Sequence, residues 1–506
     1  MPTLNWIGKE AVINHDKEVP FKLLKKVEKY SVGKSENLLV KGDNLEALKA
    51  LMPYYKGKVK CIYIDPPYNT GNEGWIYNDN VKSEKIKRWL KKQVKIDDLS
   101  RHDKWLCMMY PRLKLLRELL RDDGVIFVSI DDNEHCNLKQ VFDEIYGHEN
   151  FVGSIIWQKR KGGGNDSAHI AVDHEYILVY TKSFSLQKKW RISYNEAYLK
   201  RYKLSDSLGR YYWDTLSRPG LNNPIVYDVE CPDGTIIRGG KWQISRAEFL
   251  RRLKEGNVKI ERNNKKEWTV FHKVRLPEGG RVFRSIFSEY SNKNAADEMN
   301  ELFQNKKAFS NPKPSKLVRE LVKIVAEKED IVLDSFAGSG TTGHAVMDLN
   351  KEDGGNRKVI LVEMEENISK DVTAERLKRA IKKFDYKEGF EFCELDKELF
   401  DEIGDINVEC SFEQLATYIY FTENKSNIER KKISGNLIGE SADGKKEFYL
   451  IFKEKHKNRL GKSFLRKLKK NEKQKVIYAD ECSLGEEEMQ EYYIQFKQIP
   501  YEVEKY

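Results

Sequence analysis

Short apolar runs alternate with stretches of helical periodicity in the first part of the chain. The runs lie at residues 38–40, 59–64, 125–130, 155–157 and 176–180. Short continuous runs of this kind are typical of strands that are buried on both faces of a parallel sheet. Leucines recur at helical spacing over residues 44–51 and 110–120, and Gly124 is expected to end the second of these helices. The alternation favours an α/β fold with a mostly parallel sheet.

The pattern is interrupted between about residues 185 and 310 and then resumes. The interrupted stretch is polar, contains scattered aromatic residues and has many turn signals. After it, residues 315–325 are predicted as a helix, and residues 331–334 and 358–363 as strands on either side of a glycine-rich turn and a helix. One sheet is therefore expected to be built from two separated parts of the chain. The predicted segments are 1–184, 185–310, 311–385 and 386–506.

The chain has 506 residues, a hydrophobic content of 40% and a formal net charge of +10, from 90 Lys and Arg against 80 Asp and Glu. The length suggests about three domains, each with enough apolar residues to bury a core. No apolar run reaches the roughly 18–20 residues of a membrane span, and the first residues lack the layout of a signal peptide. We therefore expect a soluble, cytoplasmic protein. The seven cysteines are scattered singly, so neither a zinc site nor a disulfide framework is indicated and no metal is expected.

A glycine-rich turn follows the predicted strand 331–334 and opens a helix at Thr341. Gly338 and Gly340 would let backbone N–H groups approach a ligand in front of the helix N-terminus. The next strand ends in Glu363, where an acidic residue suits hydrogen bonds to a ribose diol. Glycine turns followed by a carboxylate are also common in α/β proteins without this role. The turn lacks the third glycine of the dinucleotide fingerprint, so NAD is not the expected ligand.

A second turn combines Asp65, Pro66, Pro67 and Tyr68 directly after the apolar run 59–64. Two adjacent prolines cannot continue a sheet ladder, so the chain turns there. At the carboxyl end of a parallel strand, this turn offers a carboxylate, backbone carbonyls in fixed directions and an aromatic ring. These groups suit the exocyclic amino group of a nucleobase, because two acceptors take its protons while the base stacks on the ring. The alternative is a simple turn that ends a strand.

The two turns together resemble those of the amino-group DNA methyltransferases, which use S-adenosylmethionine. The catalytic turn comes first and the cofactor turn about 270 residues later, which is the order of the permuted beta group of that family. The chain is also similar to the modification subunits of Type III restriction-modification systems, at residues 6–11, 39–45, 63–71, 128–133 and 496–501. The resemblance implies a Rossmann-like S-adenosylmethionine-dependent methyltransferase sheet in permuted order, an inserted target-recognition domain and a small C-terminal α+β domain.

Roles for the catalytic turn follow from the same resemblance. It implies that Asp65, Pro66 and the backbone near Pro67 bind the target amino group, and that Tyr68 stacks on the base. A base in a duplex cannot be reached in its stack, so it has to be rotated out at a cost of roughly a few kcal/mol. Direct in-line transfer then needs positioning and desolvation, and no covalent enzyme intermediate.

Cofactor contacts are implied in the same way. Glu363 would take the ribose hydroxyls, Asp43 would contact the adenine, Asp334 would lie near the amino-acid end, and Lys313 belongs to a segment that would pack over the methionine moiety. The full implied set is Asp43, Lys313, Asp334, Phe336, Ala337, Gly338, Gly340 and Glu363.

The expected activity is site-specific methylation of the N6 amino group of adenine in duplex DNA. Cytosine-N4 methylation and a solitary methyltransferase without a restriction partner are alternatives. An RNA or protein-glutamine methyltransferase is disfavoured, because those related enzymes usually carry asparagine in place of Asp65 and have the motifs in the opposite order. A non-catalytic DNA-binding subunit is disfavoured because both motifs are intact. The resemblance also implies a homodimer and a separate ATP-dependent restriction subunit.

Two regions are candidates for DNA contact. In the insert 185–310, phosphate and base-edge partners with interleaved aromatic residues are offered by Arg210–Trp213, Ser217–Gly220 and the pair Arg251 and Arg252. For any single one of these residues, an ordinary solvated surface is favoured. The basic run 453–475 fits DNA backbone contact and a solvated helical face equally well.

Overall fold

The computed structural model describes residues 3–71, 100–162, 167–194, 196–218, 220–304, 308–401, 403–428, 433–453 and 457–503. The chain forms two compact units. The first contains Met1–Lys188 and Arg284–Tyr506, and the second contains Lys189–Phe283. The predicted division at residues 184, 310 and 385 stays a prediction. No helix among the described residues is long and apolar enough to cross a membrane. Among the same residues, no group of three or more acidic, cysteine or histidine side chains could hold a metal ion.

The strands of the described residues are numbered in chain order. They are β1 (Lys22–Lys26), β2 (Leu38–Lys41), β3 (Val59–Ile64), β4 (Leu120–Ile130), β5 (Phe151–Gln158), β6 (His174–Thr181), β7 (Leu204–Asp206), β8 (Gly209–Thr215), β9 (Ile225–Glu230), β10 (Ile236–Trp242), β11 (Val258–Arg262), β12 (Trp268–Arg275), β13 (Ile286–Phe287), β14 (Ile331–Asp334), β15 (Lys358–Glu363), β16 (Glu391–Glu398), β17 (Leu437–Glu440), β18 (Lys446–Leu450), β19 (Arg459–Leu460), β20 (Gln474–Ala479), β21 (Glu481–Cys482) and β22 (Ile494–Gln498).

The α-helices of the described residues are numbered in the same way. They are α1 (Lys9–Val12), α2 (His15–Glu18), α3 (Asn44–Tyr55), α4 (Arg101–Leu119), α5 (His135–Tyr146), α6 (Glu196–Leu199), α7 (Arg246–Lys254), α8 (Asn292–Phe303), α9 (Ser315–Val325), α10 (Thr341–Asp353), α11 (Glu375–Phe384), α12 (Phe412–Asn424), α13 (Lys462–Leu465) and α14 (Glu486–Glu491). A π-helical segment, Ile368–Ala374, leads into α11.

A ten-stranded sheet forms the centre of the first unit, in the order β1-β16-β2-β15-β14-β3-β4-β6-β5-β13. The block from β16 to β4 is parallel throughout. Strand β6 runs antiparallel to both β4 and β5. Strands β14 and β15 follow the second unit in the chain, yet they lie between β2 and β3, which precede it. This confirms the predicted permuted α/β sheet built from two separated parts of the chain.

Helices cover the sheet because its strands are apolar on both faces. Every residue of β3 is buried, and α3, α4 and α5 pack on one another and on this part of the sheet. Helix α9 packs on α10. This layered arrangement leaves the carboxyl ends of the parallel strands as the edge at which loops can form a site.

Gly124 does not end a helix, contrary to the sequence prediction. Helix α4 ends at Leu119 and the chain passes directly into β4, in which Gly124 lies. A Cβ atom at this position would lie 2.8 Å from the Arg121 carbonyl oxygen of the same strand and 3.0 Å from the backbone oxygen of Val59 on the neighbouring strand. The glycine therefore relieves crowding within its strand and against the next one, a role that looks the same in sequence as a helix stop.

The C-terminal part of the first unit has its own small α+β arrangement. Strands β17, β18, β20 and β22 form a four-stranded sheet, and α12 packs on it through Leu415 and Ile419. The second unit has a four-stranded sheet in the order β11-β12-β8-β7, a two-stranded sheet of β9 and β10, and a core around Trp242, Phe249 and Val270.

Candidate active site

The two turns singled out from the sequence lie side by side in the first unit. Strands β3 and β14 are parallel neighbours, with Ile62 opposite Leu333. The turns that follow them therefore emerge at the same edge of the sheet. Both turns line one cavity of about 1230 Å³, which is large enough for a nucleoside-sized group and a second ligand beside it.

The glycine turn is shaped by two residues in the left-handed region. Gly338 has φ 49° and Gly340 has φ 78°, conformations that cost other residues free energy. A Cβ atom on Gly338 would lie 3.2 Å from the ring of Phe309, which also lines the cavity. The Gly338 N–H donates to Glu363 Oε2 at 2.8 Å, so the turn and the end of β15 hold each other in place.

Asp334 is a buried carboxyl directly behind this turn. It accepts hydrogen bonds from the Thr342 hydroxyl at 2.5 Å and from the Phe336 N–H at 3.0 Å. Burial nevertheless raises its pKa to about 7, because two neutral donors do not replace the water that an ionised carboxylate loses. Burial also raises the pKa of Glu363.

Asp43 has a structural role in addition to its place in the cavity wall. Its carboxylate caps α3 by accepting the Leu45 N–H at 2.8 Å. The Arg112 guanidinium donates to the same carboxylate at 3.2 Å, and both residues line the cavity. The carboxylate is therefore held in a fixed orientation at the carboxyl end of β2.

The catalytic turn places Asp65 against a lysine from a distant part of the chain. The Lys313 ammonium donates to the two oxygens of Asp65 at 2.7 and 2.8 Å, and the Tyr68 hydroxyl donates to one of them at 2.8 Å. Burial raises the pKa of Asp65 although Lys313 opposes the effect. Lys313 is predicted at the methionine moiety of a cofactor, and its ammonium here contacts Asp65.

Glu175 on β6 is a second acid in the same place, and it was missed in the sequence. Its carboxylate is 3.0 Å from the Tyr68 hydroxyl, 3.2 Å from Lys159 Nζ and 3.5 Å from Lys313 Nζ. Burial disfavours its ionised form, but the two lysines outweigh burial and lower the pKa of Glu175. An acidic residue directly before the apolar run 176–180 was the available signal, and it is a weak one.

A buried acid behind the catalytic turn was also missed. Glu134 is fully buried and accepts hydrogen bonds from Asn69, the residue after Tyr68, and from Asn137 at 2.8 Å. Asn69 has a positive φ of 62°, so it needs support in this conformation. On the other side of the turn, Trp105 Nε1 donates to the Pro67 carbonyl at 2.7 Å. The catalytic turn is thus held from two sides.

The wall near the glycine turn has the properties that a nucleoside requires. Apolar side chains lie beside acids there, with Phe309, Phe336 and Met364 in the wall together with Glu363. Ser335 also lines the cavity, and its buried hydroxyl has no hydrogen-bond partner among the described residues. An apolar slot with a few placed polar groups is the usual form of a cofactor site.

Most of the predicted residues come together in this cavity. Those that line it are Asp43, Asp65, Pro66, Pro67, Tyr68, Lys313, Phe336, Gly338 and Glu363. Asp334, Ala337 and Gly340 lie outside this wall and hold the turn, since Gly340 N–H donates to the Ala337 carbonyl at 2.8 Å. The individual roles assigned to these residues stay predictions.

The second unit carries aromatic and basic side chains on one face of its sheet. Tyr211 and Trp213 alternate along β8, and Lys273 pairs opposite Trp213. Lys273 Nζ lies 4.6 Å from the Tyr211 ring centroid, and Lys259 Nζ lies 4.7 Å from that of Trp213. Arg251 on α7 forms ion pairs with Glu248 of its own helix and with Glu255 directly after it. DNA contact by this unit stays a prediction.

Comparison with known proteins gives consistent matches. A family model described as DNA methylase matches residues 59–375, more than half of the chain. The Mod subunit of the Type III restriction-modification enzyme StyLTI from Salmonella typhimurium is 35% identical over 68% of this chain, but the match covers only 54% of that relative. The EcoP15I Mod subunit from Escherichia coli is 33% identical, with 75% of this chain and 69% of the relative covered.

A Type II enzyme and solved structures are also similar. The Type II methyltransferase M.KpnI from Klebsiella pneumoniae is 31% identical over 65% of this chain and 81% of its own length. The PvuII DNA methyltransferase, which is cytosine-N4-specific, has a TM-score of 0.37 and 13% identity, with 68% of this chain and 87% of that chain covered. The M1.HpyAVI–SAM complex has a TM-score of 0.34 and 14% identity, with 67% and 98% covered. Both TM-scores are below 0.5, so the fold is assigned from the strand order and the family match and not from these structures.

Proposed function

Since this chain belongs to the DNA methylase family, we propose that it is a site-specific DNA methyltransferase that methylates the N6 amino group of adenine, with S-adenosylmethionine as methyl donor. The observation that carries the proposal is the meeting of the Asp65–Tyr68 turn and the glycine turn in one cavity. An acceptor for a base amine and a cradle for a nucleoside are both needed for this reaction, and neighbouring strands supply them.

The residues of the catalytic turn orient the amine. Asp65 and a carbonyl of the adjacent prolines accept hydrogen bonds from its two N–H groups, so that the nitrogen lone pair points along the line of transfer. Tyr68 supplies the face on which the flipped base stacks. Because Asp65 and Tyr68 are partly buried, water competes less with these contacts. Positioning accounts for most of the rate enhancement.

The residues of the cofactor wall hold the methyl donor. Glu363 accepts hydrogen bonds from the ribose hydroxyls. Phe336 and Met364 flank the nucleoside, and Asp43 contacts the adenine end. Gly338 permits close approach of the donor to the backbone. The sulfonium of S-adenosylmethionine supplies an activated methyl group, and this chain supplies its orientation towards Asp65.

Cofactor affinity is expected to rise with pH through about 7. Asp334 has a pKa of about 7 in the ligand-free protein, and its ionised form attracts the cationic donor more strongly, so affinity falls below pH 7 by at most about tenfold per pH unit. The raised pKa also means that Asp334 lowers the free energy of unfolding progressively from about pH 4 to 7 and no further above it. Calorimetry from pH 6 to 8 measures the first effect. Asp334→Asn should remove this pH dependence, and an unchanged slope in that variant would contradict the assignment.

We further propose that the protein is the modification subunit of a Type III system and that it works as a homodimer. DNA is recognised by the insert 185–310, which contains the second unit, Lys189–Phe283, and a separate ATP-dependent subunit performs restriction. The similarity to two Mod subunits supports this. A solitary methyltransferase is the second candidate, because the match to M.KpnI spans more of that relative than the matches to the Mod subunits do.

Labelled methyl transfer tests the substrate class. The purified protein is incubated with methyl-labelled S-adenosylmethionine and with duplex DNA, RNA or total protein in parallel. Label in duplex DNA alone is the expected result. Equal or greater labelling of RNA or protein would refute the proposal. Dependence of DNA cleavage on a co-expressed partner would separate the Type III assignment from the solitary enzyme.

A further inference from the structure

The Lys313 ammonium lies where the target amine would have to bind. It is 2.7 and 2.8 Å from the oxygens of Asp65 and 5.0 Å from the centroid of the Tyr68 ring. The proposed target amine donates to that carboxylate, and its base stacks on that ring. Because both cannot occupy this space, the ammonium has to move when the base enters.

Glu175 offers the nearest alternative acceptor. Its Oε2 atom is 3.5 Å from Lys313 Nζ, so a small side-chain movement would transfer the ammonium from one carboxylate to the other. Lys313 is itself buried, and a buried cation that is left without an acid partner is strongly disfavoured. A second carboxylate within reach removes that penalty.

The orientation of Glu175 suits this role. The Tyr68 hydroxyl and Lys159 hold its carboxylate at 3.0 and 3.2 Å. The Tyr68 hydroxyl contacts Asp65 as well, at 2.8 Å, but it has one proton and can donate to only one of the acids at a time. When the target amine donates to Asp65, the hydroxyl can turn to Glu175 together with the ammonium.

We propose that the Lys313 ammonium competes with the target amine for the Asp65 carboxylate. Glu175 is the positioning residue that binds the Lys313 ammonium when the target base enters. This inference rests on the proposed function of the site. It assigns to Glu175 an effect on the entry of the base, separate from the chemistry at Asp65.

The charge balance between the acids and the lysines around Asp65 predicts how substitutions of Glu175 and Lys313 combine in their effect on DNA binding. Asp65 and Glu175 are balanced by Lys159 and Lys313, and Asp131 and Arg160 also line the cavity. Glu175→Gln would leave the ammonium with Asp65 as its remaining acid partner in this cluster, so the target amine would compete poorly. Removing the ammonium as well restores both the charge balance and access to Asp65.

The test is a double-substitution cycle on the full chain, with unmethylated genomic DNA and labelled S-adenosylmethionine. Glu175→Gln is expected to lower kcat/KM for DNA by about tenfold or more, mainly through KM. Adding Lys313→Met should recover most of that loss. The matched control adds Lys316→Met, an exposed lysine three residues away, which should recover none of it. Cofactor affinity, measured by calorimetry, should stay unchanged in every variant.

Several outcomes would overturn the inference. They are a Glu175→Gln variant as active as the unsubstituted protein, a double variant no better than Glu175→Gln, and loss of cofactor binding in Lys313→Met. If Glu175→Gln does not fold, Lys313→Arg takes its place: the guanidinium can bind Asp65 with two hydrogen bonds and should raise KM for DNA, whereas an unchanged KM would overturn the inference. No methyl transfer by the unsubstituted protein would instead be a failure of the proposed function.

Discussion

Replacement of Asp65 by alanine is expected to lower methyl transfer to DNA by roughly 10²- to 10⁴-fold while cofactor binding is retained. The substitution removes the carboxylate that accepts the target amine and leaves the Lys313 ammonium paired with Glu175. The glycine turn and Glu363 are untouched, so the cofactor wall keeps its shape. Incorporation of labelled methyl groups into DNA measures the first effect, and calorimetry with S-adenosylmethionine measures the second.

The control for this variant is Asp132→Ala. Asp132 is an exposed acid that follows the neighbouring strand β4, and it does not line the cavity. Its removal should leave methylation within about twofold of the unsubstituted protein, as is usual for an exposed surface substitution. Full activity of the Asp65→Ala variant would be incompatible with the proposed role of the catalytic turn.

Replacement of Gly338 by valine is expected to weaken cofactor binding by about tenfold to a hundredfold, because the turn would leave its ligand-binding shape to relieve a backbone strain of roughly 1–3 kcal/mol. Gly338 has a φ of 49° that valine adopts poorly. The new side chain would also press on Phe309 in the cavity wall. Calorimetry measures the affinity, and a melting temperature separates loss of binding from loss of folding.

Gly354 provides the matched control for backbone strain. It has a similar φ of 67° and ends α10, and a Cβ atom there would meet no atom within 4 Å. Gly354→Val should therefore lower stability as Gly338→Val does, without weakening cofactor binding. Equal affinities in the two variants would show that the glycine turn does not contact the cofactor.

The parts of the site that were predictable are those determined by local sequence. The prolines after β3 force a turn wherever that strand ends, and two glycines in front of a helix leave room for a ligand. The mostly parallel sheet followed from apolar runs that need cover on both faces. These features depend on a few consecutive residues, so they could be predicted from one sequence.

Contacts between distant residues could not be predicted in this way. Lys313 and Asp65 are 248 positions apart, and only the folded sheet brings them together. Glu175 precedes the apolar run 176–180 of its strand. Nothing local distinguishes an acid in the site from an acid at a strand end. The same limit applies to Glu134 behind the catalytic turn.

Two local patterns were ambiguous for physical reasons. Gly124 occupies a point of close contact between strands, but a glycine after a leucine-rich helix is equally typical of a helix stop. In the second unit, the strands around Tyr211 and Trp213 escaped prediction because one face of their sheet carries polar and aromatic side chains. Strands of this kind alternate and show no continuous apolar run.

Long-read methylation mapping of DNA from cells that express this protein, compared with cells that express Asp65→Ala, tests the central claim most directly. The account predicts N6-methyladenine at one short sequence motif in the first sample and none at that motif in the second. Modification of cytosine at N4, or absence of any motif that depends on Asp65, would contradict it.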